Sequence, residues 1–379
     1  MIIHIPVQSG FENALKGELL SLGYGKAPVI NGRARLEGTE EDVARLNLFL
    51  RVGERVLIEF SKFHASTFDE LFDGTYSLPW EKVLSVDSKI LMDGKSMLST
   101  LGAIKAMGGV MKKAIIRRLA DKKGDRRTFV ETGARVIVGF FAYKDEITIT
   151  LDSSGDGLHK RGYRTLSYTA PLKETTAAGL IASTFYHPQK DMEKPFADIF
   201  CGSGTLPIEA ALIARNIAPG KGRNFDFEGW KFFPKEAIKR ARQEALDREN
   251  LLVKPNVFAS DISADAISIS RYHAKRAGVE DCIRFEKMDM RSFSSEQKYG
   301  VLISNPPYGE RLSSIEEVKE LYHDLGKVFR SLPEWSGYFL TSFAEFERYF
   351  GKSANRKKKI SNANLDCTFY SYFGEKPTL

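Results

Sequence analysis

From residue 196 onward, the sequence alternates short apolar runs with longer amphipathic segments. The apolar runs, which we interpret as strands, are 196–200, 257–262, 283–289, 301–305 and 337–342. The amphipathic segments, which we interpret as helices, are 205–216, 234–250, 264–277 and 315–331. Strands that alternate with helices predict a mostly parallel, doubly wound α/β sheet. We expect the final segment, KKKISNANLDCTFYSYF at 357–373, to add one or two closing strands.

The chain before this region has a less regular pattern of apolar residues, which is typical of an α+β unit. The predicted strands are 2–7, 33–38, 56–60, 83–91, 135–141 and 146–151, of which the last two form a hairpin. The predicted helices are 10–22, 40–50 and 101–120. Residues 67–80 contain turn signals and aromatic residues, so we expect an irregular connection there.

The composition is that of a folded protein with two or three domains. Of the 379 residues, 42% are hydrophobic and 28% are charged, which excludes a disordered or fibrous chain. No apolar stretch is long enough for a transmembrane helix, and the N-terminus does not have the pattern of a signal peptide. The three cysteines, Cys201, Cys282 and Cys367, are far apart in the sequence. We therefore expect no disulfide framework, no metal site and a cytoplasmic location.

The excess positive charge of the chain is concentrated in one segment. Residues 105–127 contain nine basic and two acidic side chains, which accounts for the net charge of +7 of the whole chain. A concentration of this kind favours binding to a polyanion. A solvated helix face is an equally good interpretation of the charge pattern alone.

The sequence FADIFCGSGTLPIEAAL places glycines where a predicted strand turns into a helix. The strand ends at Phe200, and Gly202, Ser203 and Gly204 lead directly into the helix. Glycine lets the backbone approach a ligand closely, and the N–H groups of the helix N-terminus can bind that ligand. The third glycine of a dinucleotide-binding motif is missing, so NAD binding is not expected. Glycines in such a turn can also have a purely geometric role.

Acidic residues follow the next two predicted strands. Asp261 could accept hydrogen bonds from both hydroxyl groups of a ribose, while Ser263 suits the N-cap of the following helix. Asp289 has a similar place after the next strand, where an ordinary loop residue is the alternative. Gly204 and Asp261 are 57 residues apart, far more than the ~20 of the dinucleotide motif. We attribute the excess to an insertion that contains residues 223–230 and a whole helix at 234–250.

The segment Asn305-Pro306-Pro307-Tyr308 at the end of a predicted strand is not typical of a simple turn. Two consecutive prolines lack N–H groups and restrict φ twice, which leaves carbonyl groups exposed in a rigid loop. The Asn305 amide and a proline carbonyl can accept hydrogen bonds from an amino group, while a flat base stacks on Tyr308. This segment favours a site that acts on an exocyclic amino group of a base.

Together, these motifs resemble the class I S-adenosylmethionine-dependent methyltransferases that modify exocyclic amino groups. In the N-terminal half, TFDELFDGTYSLPWE, KKAIIRRL and LDSSGDGLHKRGYR resemble the THUMP RNA-binding domain and its exit segment, and APLKETTAAGLI at 170–181 resembles the opening motif of these enzymes. The nearest family is the THUMP-containing 23S ribosomal RNA guanine-N2 methyltransferases, also called N6-adenine-specific DNA methylases. This resemblance implies a Rossmann-like seven-stranded catalytic sheet with one antiparallel strand at 165–379. It also implies a ferredoxin-like subdomain at 1–60 and a THUMP domain at 61–164.

The resemblance also implies roles for individual residues. The implied binding residues for S-adenosylmethionine are Asp198, Gly202, Ser203, Gly204 and Thr205 around its methionine part, Asp261 at the ribose, and Ile262, Asp289 and Met290 around the adenine. The implied clamp for the target base consists of Asn305, the carbonyl of Pro306, and Tyr308. Ile199 departs from the family pattern, because many relatives have proline there, but this departure changes no role.

The implied function is methylation of guanine N2 in 23S ribosomal RNA, with no metal and no membrane partner. The residues that we expect to contact RNA phosphates are Lys112, Lys113, Arg117, Lys160, Arg161 and Arg164. The Asn-Pro-Pro-Tyr segment suits a guanine in transfer RNA, adenine N6 or cytosine N4 equally well, so the base is inferred from the family alone. A non-catalytic RNA-binding protein is the alternative from another class, and binding of S-adenosylmethionine would distinguish the two.

Overall fold

A computed structural model describes residues 1–30, 32–123, 130–166, 172–307, 314–362 and 365–376. These residues form two seven-stranded sheets. The strands of the first sheet are β1 (Ile2–Pro6), β2 (Val29–Ile30), β3 (Arg33–Glu37), β4 (Leu57–His64), β5 (Lys89–Met97), β6 (Arg135–Tyr143) and β7 (Glu146–Asp152). The helices of the same half are α1 (Glu12–Ser21), α2 (Glu40–Phe49), α3 (Phe68–Ser77) and α4 (Ile104–Lys123).

The first sheet has the strand order β2-β3-β1-β4-β7-β6-β5. Its strands pair antiparallel except β5 and β6, which are parallel. The elements from β1 to β4 form a ferredoxin-like unit, and the same sheet continues through β4 into the segment that we expected to be a THUMP domain. The expected boundary at residues 60 and 61 therefore lies inside β4.

Two segments of this half differ from the sequence-based prediction. Residues 67–80 are not an irregular connection, because they contain α3, whose first turn is closed by a capping box. The Thr67 hydroxyl accepts a hydrogen bond from the Glu70 N–H, and the Glu70 carboxylate accepts one from the Thr67 N–H. Strand β5 begins at Lys89 and not at residue 83, because Ser85 and Ser88 form a turn in which the Ser88 hydroxyl accepts a hydrogen bond from the Ser85 N–H.

The second half contains the predicted alternation of strands and helices. Its strands are β8 (Phe196–Asp198), β9 (Val257–Asp261), β10 (Ile283–Lys287), β11 (Val301–Ser304), β12 (Ser336–Thr341), β13 (Arg356–Asn362) and β14 (Leu365–Tyr372). Its helices are α5 (Glu174–Ala182), α6 (Thr205–Ala214), α7 (Lys235–Arg248), α8 (Ala264–Ala277), α9 (Ile315–Arg330) and α10 (Phe346–Phe350). The strand order is β10-β9-β8-β11-β12-β14-β13. Only β14 runs antiparallel to the other strands of this sheet, which confirms the predicted Rossmann-like fold.

The two halves are packed together through polar and apolar contacts. Helices α2 and α7 lie side by side, and Arg45 donates two hydrogen bonds of 2.8 and 2.9 Å to the carboxylate of Glu244. One cluster of buried apolar side chains includes Ile3 of the first sheet and Phe369 of the second. Because the two sheets share a hydrophobic core, the relative position of the two halves is determined by packing.

The sequence predicts no transmembrane helix, no metal site and no disulfide framework. Across the described ranges, every helix is too short or too polar to cross a lipid bilayer. The same ranges contain no group of three or more His, Cys, Asp or Glu side chains that could hold a metal ion. Cys201 and Cys282 are buried free thiols, and Cys367 is also buried.

Candidate active site

The candidate site lies where the direction of the strand order changes in the second sheet. Strand β8 pairs in parallel with β9 on one side and with β11 on the other. The carboxyl ends of these strands therefore meet at one edge, where open α/β sheets bind their ligands. This edge brings together Asp198, Asp261 and Asn305, as the sequence motifs imply.

Asp198, the last residue of β8, links the two loops of this edge. Its side chain is almost fully buried, and its Oδ1 accepts hydrogen bonds from the Ser304 hydroxyl at 2.7 Å and the Phe200 N–H at 3.1 Å. Burial raises the pKa of Asp198 to about 7, although these two hydrogen bonds lower it. Because the carboxylate is buried and bonded to Phe200 and Ser304, the geometry favours a role in positioning the loops after β8 and β11 over direct contact with a ligand.

The glycine-containing loop after β8 is held in place by side chains of α8. The Ser270 hydroxyl donates a hydrogen bond of 2.6 Å to the carbonyl of Gly202. His273 Nδ1 lies 3.1 Å from the carbonyl of Ser203, and its Nε2 lies 3.4 Å from the Leu166 N–H. The first contact requires a proton on Nδ1 and the second a lone pair on Nε2, so His273 is the neutral Nδ1–H tautomer. Burial lowers the pKa of His273, which agrees with this state.

Gly204 has a φ of +83° and is the N-cap of α6. A Cβ atom at this position would lie 3.0 Å from the Cβ of Ser270, so both the backbone conformation and the space require glycine. Thr205, the first residue of α6, is buried. The loop therefore brings the N-terminus of α6 close to the crevice at the sheet edge.

Asp261, the last residue of β9, faces the glycine loop. Its Oδ2 accepts a hydrogen bond of 3.0 Å from the Gly202 N–H, and its Oδ1 accepts one of 3.0 Å from the Ser263 N–H. A carboxylate has about four acceptor positions, so each oxygen can still accept a further hydrogen bond. The next residue, Ile262, is 66% exposed, which leaves an apolar surface beside the carboxylate. Ser263 is also the N-cap of α8, as predicted, and this role leaves Asp261 available for a ribose.

The pair Asp289 and Met290 lies beyond β10. Asp289 accepts hydrogen bonds from the N–H of Arg291 at 2.9 Å and from its guanidinium at 3.1 Å. The same guanidinium donates to Asp324 at 2.6 Å. The Met290 side chain is buried in the second apolar cluster, so only its backbone is suited to contact a ligand.

Asn305 has the most unusual environment at this edge. Its Oδ1 is buried and has no hydrogen-bond partner among the residues that the structure describes. A buried acceptor without a partner carries a desolvation cost of about 1–3 kcal/mol. The adjacent Pro306 is also buried. The arrangement is therefore ready to accept a hydrogen bond from a donor that enters the site, while Tyr308, the third member of the expected clamp, lies outside the described residues.

The carbonyl of Pro307 is held by a side chain that the sequence analysis did not identify. The Tyr322 hydroxyl donates a hydrogen bond of 3.1 Å to this carbonyl and shares one of 2.8 Å with the Thr341 hydroxyl. Tyr322 is fully buried in α9. Its hydroxyl therefore positions the segment that carries Asn305.

Replacing Tyr322 with phenylalanine should lower kcat about fivefold, because it keeps the packed ring and removes the hydrogen bond to the Pro307 carbonyl, worth ~1 kcal/mol. Cofactor affinity should not change. Tyr186→Phe is the matched control, since its hydroxyl is buried and has no hydrogen-bond partner in the described part of the chain. Single-turnover methylation and cofactor calorimetry on both variants would test this role. Equal rates for Tyr322→Phe and the wild type would show that the hydroxyl does not position the loop.

The basic residues of α4 are not equally available for binding RNA. Lys113 is exposed, and Arg117 is exposed but paired with Asp121 at 2.8 Å. Lys112 is held by the carbonyl of Ile90 at 2.9 Å and by Glu131 at 2.6 Å. The side chains that best fit the expected RNA surface on α4 are therefore Lys113 and Arg117.

The connecting segment between β7 and α5 contains three of the basic residues that we expect to contact RNA, namely Lys160, Arg161 and Arg164. Of these, only Lys160 is exposed. Its ammonium group lies 3.2 Å from Asp156. The Arg161 side chain is buried and donates to the carbonyls of Leu158, Leu50 and Arg51, so the expectation that it contacts RNA phosphates is wrong for this structure. Arg164 is half-buried and lies 3.2 Å from Glu174.

The sequence did not predict four positioning side chains, namely Ser270, His273, Ser304 and Tyr322. Ser270 and His273 are three residues apart and therefore share one face of α8. Polar residues on the buried face of a helix are a signal that could have identified them. Ser304 and Tyr322 carry no comparable signal, because their partners are distant in the sequence.

Comparison with known proteins agrees with this architecture. The family model described as the RMKL-like methyltransferase domain matches residues 161–371, and the model of the RlmL ferredoxin-like domain matches residues 3–57. A Bacillus subtilis (strain 168) protein named as an RNA methyltransferase, YpsC, is 40% identical over 97% of this chain and 94% of its own length.

Two further relatives extend the comparison. The ribosomal RNA large subunit methyltransferase K/L of Psychromonas ingrahamii is 35% identical over 97% of this chain, which spans only 49% of that relative. The crystal structure of SMU.472, described as a methyltransferase complexed with SAH, superimposes with a TM-score of 0.91 and 35% identity. It covers 100% of this chain and 99% of its own chain. From the family match, the identity over nearly the whole chain and the shared fold, we conclude that this protein is an enzyme of the RMKL-like methyltransferase family.

Proposed function

We propose that this enzyme transfers a methyl group from S-adenosylmethionine to an exocyclic amino group of a base in RNA, with guanine N2 of 23S ribosomal RNA as the target. The unpartnered, buried Oδ1 of Asn305 carries the proposal, because it is an acceptor in need of an N–H donor. The names of the relatives support RNA, and in particular ribosomal RNA, as the substrate.

The residues at the edge of the second sheet fit S-adenosylmethionine. Asp261 has acceptor capacity left for the two ribose hydroxyls, and the exposed Ile262 offers an apolar surface for the adenine. The loop from Gly202 to Gly204 would lie against the methionine part, and the φ of +83° at Gly204 favours the glycine that lets the backbone approach it closely. We propose that Asp289 accepts a hydrogen bond from the adenine amino group. When bound, the cofactor supplies an electrophilic methyl group on a sulfonium.

The target amine requires help from the protein because its lone pair is delocalised into the base. Asn305 Oδ1 and the Pro306 carbonyl would accept hydrogen bonds from its two N–H groups, which favours a more tetrahedral nitrogen as the amine attacks. The new N–C bond would form as the S–C bond of the sulfonium breaks, and the surplus proton on nitrogen would leave to water. Most of the acceleration would come from positioning two bound reactants, as in other two-substrate reactions. The stacking of the base on Tyr308 remains a proposal from the sequence.

Methylation of purified RNAs would test the proposed function directly. The protein would be incubated with radiolabelled S-adenosylmethionine and 23S ribosomal RNA, transfer RNA or DNA, and the modified nucleosides identified by mass spectrometry. We expect N2-methylguanosine in the ribosomal RNA. Methylated adenine, or label in transfer RNA or DNA alone, would contradict the proposed target, and failure to bind the cofactor would favour a non-catalytic RNA-binding protein.

We also propose that residues 61–164 are a THUMP domain whose helix α4 binds RNA phosphates. The double variant Lys113→Ala/Arg117→Ala should weaken binding to unrelated RNA sequences alike. It should also flatten the dependence of log K on log salt by about 0.7–0.9 for each phosphate that the protein no longer neutralises. Fluorescence anisotropy over a series of salt concentrations would measure this slope.

Lys235→Ala/Lys239→Ala removes the same charge from exposed positions of α7 and serves as the matched control. The control should keep the wild-type slope. If the α4 variant kept it as well, the basic segment would be a solvated helix face.

A further inference from the structure

A cleft with a volume of about 500 Å³ lies between the two halves of the molecule. It is formed by the start of β6, the connecting segment after β7, the start of α5 and the loop before α7. Its charged lining consists of Arg135, Asp156, Lys160, Arg164, Glu174 and Arg223, and Asn224 lies beside them. Nothing in the proposed chemistry at the sheet edge uses this cleft.

Cationic side chains outnumber carboxylates in the lining of the cleft. Asp156 is shared, because it lies 3.3 Å from Arg135 and 3.2 Å from Lys160. Glu174 lies 3.2 Å from Arg164. Four cations therefore face two carboxylates, although Arg135 is also paired with Asp226 just outside the lining.

Arg223 is the cation whose charge is least compensated. Its guanidinium donates hydrogen bonds to the carbonyls of Ser154, Asp156, Gly157 and Lys160, and to no carboxylate among the described residues. Carbonyl groups satisfy its N–H donors but bring no negative charge. A half-buried guanidinium without a paired carboxylate attracts an anion.

The position of the cleft connects the proposed RNA surface to the reaction site. Arg135 is in register with Lys89, and the neighbouring Ile90 carbonyl holds Lys112 of α4. The connecting segment continues to Leu166, whose N–H contacts His273, the residue that holds the glycine loop. The cleft is thus linked by a chain of contacts both to α4 and to the edge that carries the reaction.

We propose that this cleft binds a phosphate group of the RNA substrate on its path from α4 to the catalytic edge. The proposal rests on the proposed function, since it takes RNA as the substrate. The ligand of the cleft would be a phosphate group, which can belong either to an RNA backbone or to a free phosphate compound. The experiment must therefore distinguish these two sources.

Two substitutions change the charge of the cleft without removing the anchor Arg223. Lys160→Ala removes an exposed cation. Asn224→Asp adds a negative charge while keeping the oxygen that lies 3.5 Å from the Arg242 guanidinium. The matched controls are Lys239→Ala, an exposed lysine that is also paired with one carboxylate, and Asn355→Asp, where the side-chain oxygen accepts a hydrogen bond from the Phe373 N–H.

Binding of a single-stranded RNA of about 12 nucleotides would be measured by anisotropy in the full-length protein. We expect both cleft variants to bind it about three- to tenfold more weakly, as for the loss of one ordinary, partly exposed hydrogen bond. The controls should bind like the wild type, and cofactor affinity should be unchanged in all four variants. Inorganic phosphate should compete with RNA in the wild type and less in Asn224→Asp. With 23S ribosomal RNA, KM should rise in the cleft variants while kcat changes little.

Wild-type RNA affinity in both cleft variants would overturn the proposal, even if the wild type methylates RNA. If inorganic phosphate bound in a manner sensitive to Asn224→Asp while RNA affinity stayed the same, the cleft would take a free phosphate compound, and the RNA path would be excluded. A wild-type protein that binds RNA through the cleft but methylates none would leave this inference standing and reject the proposed function.

Discussion

Replacing Asn305 with alanine is expected to lower kcat for RNA methylation by roughly 10²–10³, by analogy with the loss of one preorganised hydrogen-bonding group in an oxyanion hole. The Asn305 Oδ1 has no partner within the described protein, so its hydrogen bond is available to the reacting amine. This bond should strengthen as the nitrogen becomes tetrahedral, which places its contribution mainly in the transition state. The affinity for S-adenosylmethionine should barely change, because the proposed cofactor residues lie at the ends of β8, β9 and β10.

Single-turnover methylation and calorimetry with the cofactor would separate these two effects. The matched control is Asn256→Ala, which removes the same side chain at the start of β9, at the opposite edge of the sheet. The control should keep the wild-type rate. A fully active Asn305→Ala enzyme would mean that the amine is bound elsewhere and that the Asn-Pro-Pro segment is a structural turn.

Replacing Asp261 with alanine should weaken S-adenosylmethionine binding by roughly ten- to a hundredfold. The expected loss is that of charge-assisted hydrogen bonds to the ribose hydroxyls, ~1.5–3 kcal/mol. The structure adds a second cause, because the same carboxylate accepts the N–H of Gly202 and so holds the cofactor loop. Calorimetry with S-adenosylmethionine would measure the change.

Asp265→Ala provides the control for this variant, since it removes an exposed carboxylate four residues further along, in the first turn of α8. Its affinity should stay within about twofold of the wild type, as expected for an exposed charge. Unchanged affinity in a folded Asp261→Ala protein would remove Asp261 from the ribose site.

The alternation of strands and helices was sufficient to predict the second sheet. Strands β9, β11 and β12 are short and apolar, and the helices between them are amphipathic, so local periodicity and tertiary structure agree there. In the first half, β5 alternates exposed residues with buried or partly buried ones, and the prediction displaced it by several residues. Helix α3 was missed although Thr67 and Glu70 form a recognisable capping box.

The candidate site was predictable where a residue directly follows a strand. Asp261 and Asn305 could be placed from the sequence, because the carboxyl ends of parallel strands meet at one edge. The positioning contacts were not predictable, since Ser304 and Asp198 are 106 residues apart in the sequence. Arg161 was mistaken for an exposed residue because its partner carbonyl at Leu50 is 111 residues away. Such pairs depend on how the two sheets are packed, and periodicity carries no information about that packing.

The burial of Arg161 between the two sheets also bears on how a nucleotide would be selected. Its guanidinium bonds to the carbonyl of Leu50 and lies 3.5 Å from Glu209 of α6, so the N-terminal half is fastened to the catalytic half. The distance between an RNA-binding surface on the first half and the reaction site on the second half is therefore fixed. The target base would then be selected both by its identity and by its distance from the RNA segment that the first half binds. An RNA in which one base pair is inserted between the bound segment and the target base should therefore bind well and remain unmodified.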